Sequence, residues 1–253
     1  MKVLVIGSNG MLGNTLTLYL KLKGITVYES NTGDDHFKWK NTVDVVVNCA
    51  GAIPQRHKQY QKFIEANTIL PLELAEYYTD QYEVPFVHIT TDCVYDDNVL
   101  AHDEDSELTA TDIYGVTKLM GESPKACIIR TSIIGESNYG KGLLEWVKTT
   151  DKQCINGFLN HSWNGVTTLQ LSKFIYRNIM YRSFWTGVKH YYGLPLTKYS
   201  LVKYISETYN INNVVIPHFT EKPVHRILTS KYNTMCQVHI KQQLHELRDF
   251  MKS

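Results

Sequence analysis

Tyr114 and Lys118 stand four residues apart in Tyr114-Gly115-Val116-Thr117-Lys118, a spacing that puts a phenol and an ammonium on one helix face. A phenol with a pKa of about 10 is a sluggish base at neutral pH. A nearby ammonium, or the positive charge of an oxidised nicotinamide, pulls it toward the working range. Run the other way, the same tyrosine is an acid that protonates an alkoxide. A hydroxyl is needed to polarise the reacting oxygen, and Thr90-Thr91-Asp92 offers two. The Tyr-x-x-x-Lys spacing is a poor motif by itself, since Tyr19 to Lys23 and Tyr199 to Lys203 share it. Only the middle copy follows a strand-like run ending in a Thr-Asp turn, so the other two are read as structural.

A second constellation opens the chain. Gly7-x-x-Gly10-x-x-Gly13 follows the apolar run Val3 to Ile6 and leads into a helical pattern, the setting a dinucleotide loop requires. Glycine permits the tight turn and a close approach of backbone to pyrophosphate, while the helix N-terminus supplies N–H donors and positive dipole. Gly7, Asn9, Gly10, Met11, Leu12 and Gly13 are therefore expected to bind a nicotinamide dinucleotide, NAD(P)H. Glu29 ends the second strand, 22 residues after Gly7, near where an acid hydrogen-bonds the adenosine ribose. A solvated strand-end glutamate is an equal reading. No arginine follows through Asp35 to meet a 2′-phosphate, a slight lean toward NAD over NADP.

The elements that must position these groups follow from periodicity. Val3 to Ile6, Val43 to Asn48, Val84 to Thr90 and Ala126 to Arg130 read as buried strands, with Ile25 to Glu29 a weaker one. Helices are expected at Met11 to Lys23, roughly Tyr60 to Tyr78, and Tyr114 to Glu122. The acidic stretch Asp96 to Asp112 reads as a surface loop. Short strands alternating with helices predict an α/β fold, a Rossmann-like doubly wound parallel sheet. Only 13 residues separate the second and third strands, too few for a full crossover helix. After Ser132 the pattern changes: Leu143 to Thr149, Thr168 to Met180 and Leu196 to Tyr209 look helical, Val188 to Tyr192 extended, and Leu244, Leu247 and Phe250 mark a final amphipathic helix. The expected division is a dinucleotide domain over 1–135 and a small C-terminal substrate-binding lobe over 136–253, interleaved with the sheet edge.

Composition narrows the function classes. Net charge is +1, so nothing in bulk electrostatics favours nucleic acid or an anionic membrane. No run of about 18 apolar residues exists to span a bilayer. Five scattered cysteines without a C-x-x-C pair fit reduced thiols, and with them a cytoplasmic setting. The ten histidines show no metal-binding spacing, so no metal is expected.

In order and spacing these features resemble the extended short-chain dehydrogenase/reductases, and within them the dTDP-4-dehydrorhamnose reductase family and its sugar-nucleotide relatives. The resemblance is strongest from Val87 to Gly135 and weak from Ser30 to Asn41 and after Pro217. It implies that Asn48-Cys49-Ala50-Gly51-Ala52 is the Asn-Ala-Gly turn, with Asn48, Ala50, Gly51 and Ala52 against the adenosine side of the cofactor. Thr91-Asp92-Cys93-Val94-Tyr95 is similar to the family's Ser-Thr-Asp-Tyr-Val-Phe segment, which makes Thr91 the polarising hydroxyl and Thr90 the alternative. Thr91, Tyr114 and Lys118 are then the catalytic set, Tyr114 and Lys118 also touching cofactor. Thr91, Asp92, Cys93, Arg130, Trp163 and Arg226 are expected on the substrate side. Asp92 reads as structural as readily as catalytic, Trp163 as core as readily as a stacking platform, and Lys222-His225-Arg226 as readily a solvated basic surface.

The resemblance implies an NAD(P)H-dependent reductase of a nucleotide-linked 4-keto-6-deoxyhexose, feeding deoxysugar or polysaccharide synthesis, with a homodimer as a possible state. Cys93 stands where related 4,6-dehydratases carry a glutamate, which argues against dehydration. An epimerase of the same fold, and a non-catalytic dinucleotide-binding regulatory subunit, are the alternatives.

Overall fold

A computed structural model describes residues 1–253. Five strands named in chain order form most of the main sheet: β1 Lys2–Ile6, β2 Thr26–Ser30, β3 Val45–Asn48, β4 Phe86–Thr91 and β5 Cys127–Thr131. A sixth, Gly187–His190, completes the order sixth strand, β5, β4, β3, β1, β2. Every pairing is parallel. Val3, Val5, Val45, Val47, Val87, Ile89 and Ile129 enter the apolar core on one face. Their alternate neighbours Leu4, Ile6, Val46, Phe86 and Ile128 enter the core on the other. That two-sided burial is why the strands read as continuous Val/Ile runs. The expected strands and helices are all present, with ends shifted by up to a few residues.

The register aligns the carboxyl ends. Ile6 pairs with both Ser30 and Asn48, and Thr91 pairs with Thr131. Gly7, Cys49, Asp92 and Ser132 therefore leave the sheet along one edge. The order reverses at β1, with β2 on one side and β3 on the other, and ligands of such sheets bind outside this switch point. Residues 31–44 between β2 and β3 contain turns only, as the short spacing requires.

Helix α1 (Met11–Leu22) and the helix Thr168–Met180 cover one face side by side. The other face carries the helical run 60–81, in which Glu65–Ile69 and Glu76–Gln81 are wound as π-helix. The helix Ile113–Met120 packs on this run and on the turn after β4.

The later chain forms its own apolar cluster, including Leu144, Trp163, Leu201, Ile205 and Leu244. It also forms small sheets that the sequence reading lacked. Leu196–Thr197, His161–Trp163 and Val224–Arg226 make one, and Cys154–Phe158 with Val214–His218 another. The helix expected from Leu196 starts at Lys198, because Thr197 is extended and its side chain caps the Ser200 N–H. The sixth strand and the helix Thr168–Met180 belong to the main layer, so residues 136–253 return to the sheet rather than standing apart. The acidic loop is anchored rather than free: Glu104 accepts from the His190 N–H at 2.8 Å and the Ser230 hydroxyl at 2.5 Å. No helix is long and apolar enough to cross a membrane.

Candidate active site

A cleft of about 520 Å³ opens over the carboxyl edge of the sheet. Its walls include Gly10, Met11, Leu12, Ala50, Gly51, Thr91, Asp92, Cys93, Tyr114, Lys118 and Arg226. Residues from five separate stretches of sequence thus meet in one cavity.

The glycine loop is built by close contacts. Gly7 has φ +78°, and a Cβ there would lie 2.7 Å from the Ala50 nitrogen. A Cβ at Gly13 would lie 2.0 Å from the Gly7 carbonyl, so this glycine is what lets α1 start against the turn. Gly10 is different: its Cβ would meet only the Gly7 oxygen, at 3.2 Å, and it faces the cleft. Gly10 also provides no side-chain cap for α1. The first-turn N–H groups of Met11, Leu12 and Gly13 are therefore left for a ligand. Free donors, a positive helix end and a cradle that side chains would fill fit a dinucleotide pyrophosphate.

Asn48 and Ala52 shape the neighbouring turn from beneath rather than line the cleft. The Asn48 amide oxygen accepts the Ala50 N–H at 3.0 Å, and its nitrogen lies 3.2 Å from buried His88. Ala52 exchanges hydrogen bonds with the amide of Asn67, whose nitrogen also donates to the Thr117 hydroxyl at 3.2 Å. Asn67 ties the turn after β3 to the Tyr114 helix. Sequence reasoning passed over it, although one asparagine on the apolar face of a helix was a signal.

That helix starts where Asp112 accepts the N–H groups of Tyr114 and Gly115 at 2.9 and 3.0 Å. A Cβ at Gly115 would lie 2.3 Å from the Cys93 carbonyl, so the helix rests directly on the turn after β4. This contact brings Tyr114 to Thr91. Burial raises the Tyr114 phenol well above its usual value, with Cys93 adding to the rise and the Thr91 hydroxyl opposing it. Lys118 is not among the groups that shift this phenol most. The Lys118 ammonium donates to the Ile89 carbonyl at 2.7 Å, and burial lowers its own pKa to about 8.

Thr91 accepts the Cys93 N–H at 3.1 Å and donates to the Asp92 carboxylate at 3.2 Å. Thr90 instead donates to Glu122 at 2.7 Å, which separates the two threonines by direction. Asp92 is 6% exposed, and its second carboxylate oxygen has no partner. Burial raises its pKa, while Arg226, Ser132 and Thr91 pull it down. Arg226 reaches Cys93 Sγ at 2.8 Å and Asp97 at 2.8 Å. Burial pushes the Cys93 thiol up to about 12, with Asp92 raising it further and Arg226 opposing. Beside Arg226, His225 contacts the Ser162 hydroxyl at 2.8 Å and Lys222 is exposed.

Three expected site residues stand elsewhere. Glu29 points to solvent and pairs with Lys21 at 2.6 Å, because strand alternation turns it onto the α1 side. The group that reaches the glycine loop from the end of β2 is Asn31. Arg130 is 4% exposed and forked onto Glu122, with Nη1 donating to the Tyr95 hydroxyl at 2.6 Å. It is buried away from the cleft, so it does not face a substrate diphosphate. Trp163 lies in the apolar cluster of the lobe, its indole N–H donating to Ser132 at 2.8 Å. It is core, and it holds Ser132, which lines the cleft and was missed. Arg56 was missed too; its guanidinium sits 3.7 Å from the centre of the Tyr139 ring, and both line the cleft. No group of three or more His, Cys, Asp or Glu side chains is placed to share a metal ion.

Comparison with known proteins gives a consistent picture. The family model described as the RmlD substrate binding domain matches residues 1–250. The chain is 26% identical over 182 residues to a probable low-salt glycan biosynthesis reductase of Haloferax volcanii, covering 59% of this chain and 60% of that one. It is 27% identical over 148 residues to a dTDP-4-dehydrorhamnose reductase of Mycolicibacterium smegmatis, covering 52% and 45%. The matches thus span about half the length of these curated relatives. Among solved structures, a dTDP-4-dehydrorhamnose reductase of Clostridium acetobutylicum superposes with a TM-score of 0.81 at 25% identity, covering 100% of both chains.

Proposed function

We propose that this chain, which belongs to the RmlD substrate binding domain family, is a nicotinamide-dependent reductase of a nucleotide-linked 4-keto-6-deoxyhexose. The observation that carries the reading is the meeting of Thr91, Tyr114 and Lys118 in the same cleft as the uncapped start of α1. A proton-transfer set beside a pyrophosphate cradle is what carbonyl reduction by a dinucleotide needs.

The reduced nicotinamide, when bound, supplies hydride to the keto carbon. Met11, Leu12 and Gly13 hold the pyrophosphate through backbone N–H groups, Gly10 lets it approach the backbone, and Ala50 and Gly51 leave room on the adenosine side. Thr91 turns its hydroxyl from Asp92 to the substrate oxygen and polarises it. Tyr114 gives its proton to the developing alkoxide. Burial keeps the phenol neutral beforehand, the form a proton donor requires. Lys118 binds the ribose hydroxyls and stabilises the tyrosinate left behind. Arg226, at the substrate end beside Cys93 and Asp97, meets the diphosphate. A thiol at Cys93, where dehydratase chemistry uses a carboxylate, favours reduction over dehydration.

The test is stoichiometric. Incubation with dTDP- or UDP-4-keto-6-deoxyglucose should oxidise one reduced nicotinamide per sugar converted, followed by absorbance. Product without nicotinamide consumption would move the assignment to an epimerase. Tight dinucleotide binding without turnover on any keto-sugar nucleotide would favour a regulatory subunit.

A further inference from the structure

We infer that the turn after β2 makes the dinucleotide site selective for NADH over NADPH, through Asn31 and the carboxylates that follow it. The inference rests on the dinucleotide reading of the glycine loop. Asn31 is fastened to that loop: its side-chain oxygen accepts the Asn9 N–H at 2.9 Å, and its amide nitrogen donates to the Ser8 hydroxyl at 2.8 Å. Its own N–H donates to the Asp34 carboxylate at 2.7 Å. The end of β2 beside β1 is where a doubly wound site meets the adenosine ribose, and a 2′-phosphate there needs a cation.

The basic side chains of this part of the chain each lie against another group. Lys21 pairs with Glu29 at 2.6 Å. Lys38 lies over the Trp39 ring, 5.0 Å from its centre, and Lys40 over Tyr82 at 5.4 Å. His36 shares Nδ1 with the Ser30 hydroxyl at 2.6 Å, and burial lowers its pKa despite Asp34 and Asp35. What the turn does present is negative. Asp34 is held by the Asn31 N–H, and Asp35 accepts the Phe37 N–H at 2.9 Å. A neutral ribose hydroxyl can share hydrogen bonds with such a turn, whereas a 2′-phosphate meets two carboxylates and no compensating charge.

The experiment is a binding titration with four probes: NADH and NADPH by nicotinamide fluorescence, and ADP-ribose and its 2′-phosphate by calorimetry. The 2′-hydroxyl member of each pair should bind at least roughly tenfold tighter, and the gap should narrow with added salt. Asp34→Asn keeps an acceptor for the Asn31 N–H and should narrow the gap severalfold. Thr32→Arg, at an exposed position, should strengthen NADPH binding at least roughly tenfold with NADH binding kept. NADPH binding as tight as NADH to the unaltered protein would overturn the selectivity and leave the dinucleotide reading intact. Binding of none of the four probes would overturn both.

Discussion

Lys118 and Ile89 are joined across 29 residues of sequence by a 2.7 Å hydrogen bond from the ammonium to the main-chain carbonyl. Ile89 lies two residues before Thr91 on β4, so the bond ties the Tyr114 helix to the strand that carries the polarising hydroxyl. The Coulombic pull of Glu122 offsets only part of the desolvation of the ammonium.

A pH prediction follows from that placement. An unfolded lysine titrates near about 10.4, and native Lys118 at about 8, so folding disfavours its charged form. Below pH 8 both states are protonated and the native state carries the whole penalty, roughly 3 kcal/mol. Above about pH 10.4 both are neutral and the penalty is gone. In urea unfolding, the stability of the wild type relative to Lys118→Met should therefore improve by roughly 3 kcal/mol between pH 7 and 10.5. A difference that does not change with pH would mean that the lysine is hydrated in the native state.

The glycine loop separates binding from folding. A branched side chain at Gly10 would enter the cleft and meet little protein, whereas one at Gly13 would collide with Gly7 backbone. Gly10→Val should weaken NAD(P)H binding by at least roughly tenfold with melting temperature almost unchanged, since the close approach of pyrophosphate is lost. Gly13→Val should lower the melting temperature or abolish soluble expression. Unaltered dinucleotide affinity in Gly10→Val would reduce the loop to a turn.

The two arginines assigned to substrate should part company. Arg130→Ala leaves the Glu122 carboxylate buried without its cation, and such broken pairs cost about 3–5 kcal/mol. The Arg226–Asp97 pair is partly exposed and contributes about 1 kcal/mol or less, so even with its pull on Asp92 the loss of Arg226 should cost less stability than the loss of Arg130. Arg226→Ala should instead raise KM for the nucleotide sugar by roughly tenfold or more, through the missing charge-assisted contact with phosphate. Equal melting temperatures for the two variants would contradict this division.

These outcomes also mark what the sequence could and could not reveal. The apolar runs, the glycine loop and the Tyr114 helix were legible because their signals are local: two-sided strand burial, a turn that admits no Cβ, a four-residue spacing on one helix face. Arg130 was misread because its partner, Glu122, is a charge no local pattern connects to it. Trp163 was open between stacking and core until the fold placed Ser132 within reach of its indole. Glu29 and Asn31 are two residues apart, and strand alternation together with the turn after β2 decided which of them reached the glycine loop. The small sheets of the lobe join segments 33 to 63 residues apart with strands of two to five residues, too short for periodicity to register.

The three Tyr-x-x-x-Lys copies give the most direct test of mechanism. Tyr114 lines the cleft with Thr91 and Lys118. Tyr19 packs edge-on against Tyr176 and Phe250, away from that cavity. Tyr199 covers Gly157 in the lobe, where a Cβ would touch its ring at 2.7 Å. In all three a phenylalanine keeps the ring and removes only the hydroxyl. Tyr114→Phe should lose roughly 10²-fold or more in turnover, the usual scale of a positioned proton donor, while NAD(P)H affinity and melting temperature stay near wild type. Tyr19→Phe and Tyr199→Phe should retain turnover within about twofold, since neither hydroxyl reaches the cleft. Full turnover in Tyr114→Phe would remove the phenol from the chemistry and leave Thr91 or a bound water as the proton source. A matching loss in all three would point to folding rather than proton transfer.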